Sequence, residues 1–332
     1  MLHIRSTTAN WLIKLLVLAL VAWAIYRQVI AKEHLDMLWG SFVAQWAEGR
    51  WHWMVLACVL MPVNWGIEAL KLRKLTHQFM RLPFLRAFES VLAGVTVSIF
   101  TPNRVGEYGG RILFVESKYN WRVVVATLVG SLSQLLALLT TGLLGFLYFA
   151  WRFLELNVYM LQGVMLIGLT LIVLMLIAFL NVDLVVPIAR RVSFFQRHKK
   201  YFRHFGFLQW YSRMELLQVL GLSVLRYCTY SLQFFFMLRF FGIDVPFGAA
   251  FAGISTVFLV QTSIPLPPVL GLLTRGQVAL YVWSHFGGNE LSVLASTYGI
   301  FVINLALPAL LGAISIVKVN ILKSLGYEND QL

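Results

Sequence analysis

Six stretches of this chain, at residues 10–30, 51–71, 122–150, 159–180, 215–241 and 291–317, stay apolar for the roughly 20 residues that cross a bilayer. Such stretches leave the backbone one choice. In hydrocarbon every peptide group must be satisfied internally, so each span is a helix. Composition agrees, with 59% of residues hydrophobic and only 12% charged, far from a soluble domain. The net charge of +13 would suggest nucleic acid, but twelve of the 27 Lys and Arg gather in two short segments between apolar runs. One holds Lys71, Arg73, Lys74, Arg81 and Arg86; the other, within residues 181–215, holds Arg190, Arg191, Arg197, Lys199, Lys200, Arg203 and Arg213. This is the positive-inside pattern, which makes both segments cytoplasmic and argues against a nucleic-acid partner. Phe194, Phe195, Tyr201, Phe202 and Phe205 give the second block the look of a surface helix on anionic headgroups, or simply of a solvated loop.

Counting between those blocks exposes an anomaly. Residues 122–150 and 159–180 already return the chain to the cytoplasm, yet the apolar run 87–100 precedes them. At the helical rise it reaches only about 21 Å, short of a ~30 Å hydrocarbon core. It runs into Ser98-Ile99-Phe100-Thr101-Pro102-Asn103-Arg104-Val105-Gly106-Glu107-Tyr108-Gly109-Gly110-Arg111. Pro102, Asn103, Gly106, Gly109 and Gly110 break the helix where hydrocarbon should continue, which is tolerated only inside protein or beside a wet cavity. The segment is expected to enter from the cytoplasm and turn back.

The second half repeats the design. Between the near-neutral connection after residue 241 and the span 291–317, a short apolar run at 247–263 is interrupted by Pro265, Pro267, Pro268 and Gly271. Ser98-Ile99, Pro102 and Gly106 match Ser263-Ile264, Pro267 and Gly271 at one constant offset. With Lys318 and Lys323 cytoplasmic, this second hairpin enters from the opposite side. The expected fold is an all-α polytopic membrane protein. It has six full spans and two oppositely oriented re-entrant hairpins, an inverted repeat with halves at about 51–150 and 216–317 within a single domain, 1–332. Residues 35–46 read as an amphipathic interfacial helix, and the first apolar run as an uncleaved helix rather than a signal peptide. Trp11, Trp51, Trp53, Trp121, Trp151 and Trp283 read as interface anchors.

Charges inside the apolar segments are the candidate chemistry. Arg104, Glu107 and Arg111, spaced by three and four, share a helix face, leaving one acid against two bases. Arg226 sits mid-span, and Arg275 follows the second broken segment. Guanidinium offers forked donors to phosphate, so Arg104, Arg111, Arg226 and Arg275 form a candidate anion site. A structural ion pair of Arg226 with Glu107 or Glu68 is the competing reading. Glu107 is either the counter-charge of the cluster or a proton-coupling carboxylate. Glu68, one turn from Lys71, reads as interfacial, and Asn64, Gln134, Gln261 and Asn304 as bonds between helices. Cys58 and Cys228 lack metal or disulfide spacing, and no phosphate-cradling loop, metal-ligand set or nucleophile triad is present. No cofactor, metal or catalytic residue is expected.

The Pro-x-x-x-Gly-Glu-x-x-x-Arg core of residues 102–111, followed by a long apolar span, resembles the integral-membrane domain of lysylphosphatidylglycerol synthases. That domain also occurs alone in short bacterial flippase-like membrane proteins. The Pro/Gly break at 265–271 with Arg275 and Ala279-Leu280 is similar to the family's second motif, though Gly276 and Gln277 stand where a Glu is usual. The resemblance implies movement of lipid between leaflets, without the synthase domain, for which the chain has no room. The expected function is therefore binding and translocation of an anionic phospholipid or polyprenyl-phosphate-linked glycan. The expected location is the bacterial inner membrane, with both termini cytoplasmic. A non-transporting accessory subunit of an envelope glycosyltransferase is the alternative, and a lipid-phosphate-dependent transferase the third reading.

Overall fold

The computed structural model describes residues 2–26, 35–184, 203–264, 266 and 271–327. Among these the chain is all-helical, without strands. Pro265, Pro267 and Pro268, and most of the second basic block, lie outside the described residues.

The helices are α1 (Leu2–Ile25), α2 (Leu35–Gln45), α3 (Trp51–Thr76), α4 (Phe84–Ser98), α5 (Gly106–Ile112), α6 (Asn120–Phe153), α7 (Val158–Leu180), α8 (Arg213–Phe240), α9 (Phe247–Thr262), α10 (Gly271–Ser284), α11 (Glu290–Phe301), α12 (Leu307–Val317) and α13 (Ile321–Leu325). A π-helical turn, Val302–Ala306, joins α11 to α12. Four continuous helical stretches are long and apolar enough to cross a membrane: Asp36–Thr76, Ser117–Phe153, Val158–Leu180 and Glu290–Val317. Helix α8 is as long, but Ser223, Arg226, Thr229, Ser231 and Gln233 interrupt its apolar surface, and all of them are buried. The chain is a multi-pass membrane protein.

Two ends of the bundle can be told apart by their contacts. At one, Gln78 Nε2 donates to Glu215 Oε1 at 2.6 Å, Asn120 Nδ2 to the Ser324 carbonyl at 2.8 Å, and the Ile321 amide to Asn10 Oδ1 at 2.9 Å. Arg73, Lys74, Arg81, Arg86, Lys118, Arg122, Arg213, Lys318 and Lys323 gather there. At the other, Arg50 and Arg239 both reach Asp244, at 3.4 and 2.7 Å. The interfacial reading of 35–46 is refined here. Phe42 of α2 stacks on Trp39 and packs against Phe240, so α2 is anchored to the end of α8 while Trp39 and Trp46 stay exposed. Trp283 is a correction: α10 packs its far end against α9, and the ring is fully buried, touching Phe234 and Phe286.

Helices α4 and α5 fold as a hairpin from the basic end, and α9 and α10 as a hairpin from the opposite end. At 15 and 16 residues, α4 and α9 reach about 22–24 Å and stop mid-bundle. The first hairpin closes so tightly that a Cβ on Gly110 would collide with the Ala93 carbonyl, and Ser90 Oγ donates to the Arg111 carbonyl at 2.8 Å. Each hairpin leans on the long helix of the other half. Thr96 Oγ1 of α4 donates to the Ala309 carbonyl of α12 at 2.8 Å, while α9 meets α6 where a Cβ on Gly145 would lie 2.5 Å from that of Ser255. The letters repeated in sequence fall at like positions. Ser98 ends α4 and Ser263 caps α9, and α5 and α10 open on Gly106 and Gly271.

Candidate functional site

The turn between α4 and α5 carries an unusual backbone. Asn103 and Arg104 are the only described non-glycine residues with positive φ, at 49° and 58°. For an L-residue this costs roughly 1–2 kcal/mol, and such strain gathers at functional sites. It swings Arg104 into a cavity of about 260 Å³ that lies halfway along the long helices. Asn64 of α3, Gln134 of α6, Arg226 of α8 and Asn304 of the π-helical turn line it. An adjoining space of about 530 Å³ runs between the hairpin tips, past Asn103, Arg104, Ile264, Leu266, Gly271 and Arg275. Pro102, Asn103, Val105, Ile264 and Leu266 are exposed around it, so that among the described residues the cavity opens to the side of the bundle.

Behind the cavity lies a buried ion-pair network with Glu68, one of the two partners expected for Arg226, at its hub. Glu68 is not interfacial: α3 continues to Thr76, which puts Glu68 and Lys71 inside the bundle. Arg111 Nη2 donates to Glu68 Oε1 at 2.7 Å. Lys71 Nζ and Arg226 Nη1 lie 2.7 and 3.1 Å from Oε2 and hold it by proximity of charge rather than by aligned hydrogen bonds. One carboxylate thus gathers cations from three helices. Arg226 pairs with Glu68 and also lines the cavity. Its Nε donates to Asn64 Oδ1 at 3.1 Å, and its guanidinium lies 4.8 Å from the centre of the Trp65 ring.

Amides tie this network across the bundle. Asn64 Nδ2 donates to Asn304 Oδ1 at 3.1 Å, Asn304 Nδ2 to Gln233 Oε1 at 2.9 Å, and Gln233 Nε2 to the Ala57 carbonyl at 2.8 Å. Gln134 Oε1 accepts from both Lys71 and Arg226, each at 3.4 Å. The expected inter-helix bonds of Asn64, Gln134 and Asn304 are present; Gln261 instead lines the cavity.

The candidate anion-site arginines divide into two kinds. Arg111 is 2% exposed and bound by both Glu68 and Glu107, so it stands behind the wall rather than in it. Arg104 has only a long contact to Glu107, 3.9 Å from Nε to Oε2, and its Nε and Nη2 are buried without a hydrogen-bond partner. Arg275 makes no ion pair among the described residues. Glu107 is thus paired closely with Arg111 and only at long range with Arg104. Gly109 faces open space on α5, whereas Gly106 and Gly110 sit against α4. Among the described residues no cluster of His, Cys, Asp or Glu could hold a metal.

The signal for the hub was in the sequence. Asn64, Glu68 and Lys71, spaced by four and three, form one polar stripe on an apolar helix. Trp65, the ring beneath Arg104 and Arg226, carried no such signal.

Comparison with curated proteins and with solved structures returned no match. The family model described as the lysylphosphatidylglycerol synthase TM region matches residues 11–312, which include every helix around the cavity. The chain belongs to the lysylphosphatidylglycerol synthase TM region family.

Proposed function

We propose that this protein binds an anionic lipid by its headgroup and carries it between the leaflets of the bacterial inner membrane. The cargo would be a phospholipid or a polyprenyl-phosphate-linked glycan. The observation that carries the reading is the pair of guanidiniums, Arg104 and Arg275, one beside each hairpin tip and neither bound closely to a carboxylate, beside a mouth open to the side. The Arg104 side chain is 37% exposed, yet its Nε and Nη2 are buried without a hydrogen-bond partner, and a phosphate entering from the lipid would pair with them. Arg226, held by Glu68 and Asn64, supplies a third donor at the back, and the tails stay in the bilayer outside the mouth.

The topology that goes with this function has six full spans. The two hairpins are re-entrant, and residues 51–150 and 216–317 are inverted repeats. The crosswise packing of α4 on α12 and α9 on α6 supports it, as does the gathering of basic residues at one end. That end, with both termini, faces the cytoplasm.

The test is transport in liposomes of purified full-length protein, with a headgroup-labelled anionic lipid and an impermeant quencher. Wild type should equilibrate the label across leaflets well above empty liposomes, and Arg104→Gln should slow it by at least about tenfold, the equivalent of one lost charged hydrogen bond. Equal rates in protein-containing and empty liposomes would remove transport and favour an accessory role beside an envelope enzyme.

A further inference from the structure

The cavity wall is one-sided in its chemistry. Among the residues lining it, the buried polar atoms without a partner are all donors: Arg104 Nε, Arg104 Nη2 and Trp65 Nε1. Among the described residues no carboxylate lines it. Glu68 and Glu107 lie behind, the first held by Lys71, Arg111 and Arg226, the second by Arg111. The amide oxygens nearest Arg226, on Asn64 and Gln134, already accept from it.

We infer that the cargo headgroup carries two negative charges on phosphate oxygens, as a phosphomonoester or a diphosphate, and no amine beside them. This rests on the anionic-lipid reading and narrows it. A phosphodiester brings one charge and would leave one of Arg104 and Arg275, both only partly exposed, without a close counter-charge. A dianion offsets both. An ethanolamine or lysyl headgroup does worse, because its ammonium would enter a wall of arginines with no acid to receive it. Lysylphosphatidylglycerol, the product named in the family's description, is such a lipid. Membership of the family and exclusion of that lipid are compatible, since the fold supplies the cavity and its side chains choose the headgroup.

The test is binding of lipids with matched chains to the full-length protein in detergent, read by native mass spectrometry at about pH 8, where a phosphomonoester is doubly ionised. The probes are phosphatidic acid, phosphatidylglycerol, phosphatidylethanolamine, lysylphosphatidylglycerol, and a polyprenyl monophosphate and diphosphate. The dianionic lipids should bind at least about tenfold more tightly than phosphatidylglycerol, and the amine-bearing lipids more weakly still. Arg275→Gln orphans no carboxylate, so it should fold; it should cut the dianion advantage over phosphatidylglycerol to under about threefold. Arg275→Lys should retain most of the advantage. Phosphatidic acid against the polyprenyl phosphates tells a glycerolipid source from an isoprenoid one, and tight binding of either supports the inference. Equal binding of phosphatidylglycerol and the dianions, or an advantage untouched in Arg275→Gln, overturns the inference while leaving an anionic-lipid site. Binding of no lipid above background removes that site itself.

Discussion

Replacing Glu68 by Gln removes the one carboxylate that three buried cations share. At 2.7 Å and an effective dielectric of 20, each of the two closest contacts is a gross attraction of about 6 kcal/mol. Desolvation of the ions offsets most of that, but the offset is already incurred by Lys71, Arg111 and Arg226 and stays when Glu68 loses its charge. Arg111 keeps Glu107, and Arg226 keeps Asn64 and Gln134. Lys71, 1% exposed, is left with Gln134 and Ser223 at 3.4 Å. Removing one partner of a buried pair costs about 3–5 kcal/mol, a large part of the 5–15 kcal/mol that stabilises a typical protein. Unfolding of Glu68→Gln in mixed micelles with a denaturing detergent should show that loss. The double variant Glu68→Gln/Lys71→Met should recover part of it, since one stranded cation is gone, giving a coupling of about 1–3 kcal/mol. A Glu68→Gln protein within about 1 kcal/mol of wild type, or two additive substitutions, would mean that the network contributes little and that the reasoning fails.

Three further outcomes follow from other parts of the molecule. Gly110→Ala forces a Cβ into the Ala93 carbonyl and should cost about 1–3 kcal/mol in the same unfolding measurement, while Gly109→Ala, facing open space, should be neutral or slightly stabilising. Asn103→Val places a β-branched residue at φ 49° and should lower thermal stability by about 1–2 kcal/mol, whereas Asn103→Gly should not. At the far end, burial alone would raise the Asp244 carboxyl, but the hydrogen bond from Arg239 and the charge of Arg50 hold it below its ordinary value. A depressed carboxylate contributes stability above its unfolded pKa and loses it as pH falls through the folded one. Asp244→Asn should therefore cost under about 1 kcal/mol at neutral pH, because the site is exposed, and a pH series of melting curves should show the gap closing below about pH 4.

Four of the spans were legible because bilayer crossing leaves a plain mark, and the break at Pro102 because proline and glycine interrupt the helix. What the sequence hid was where helices end and which partners meet. Lys71 looked like the first residue of a basic loop, and that misplaced Glu68; only the continuation of α3 to Thr76 carries both inward. Arg111 and Arg104 look alike as letters seven residues apart. One is bound twice and the other hardly at all, a difference set by Glu68 on another helix and invisible to spacing. Trp283 sits near the end of an apolar run, as an interfacial tryptophan would, but the hairpin turns that end into the core.

The bonds between α3 and α8 also limit how the molecule can move. Glu68 to Arg226 and Asn64 to Arg226 join the two helices at mid-height, with Asn304 and Gln233 extending the joint to the π-helical turn. Sliding α3 past α8 by a single helical turn of about 5.4 Å would break the Arg226 contacts to Glu68 and Asn64 in a low-dielectric interior. Tilting about the joint would break none. The centre of the protein is thus a fulcrum rather than a rail. Displacement is left to what lies away from it, such as the strained tip at Asn103 and Arg104.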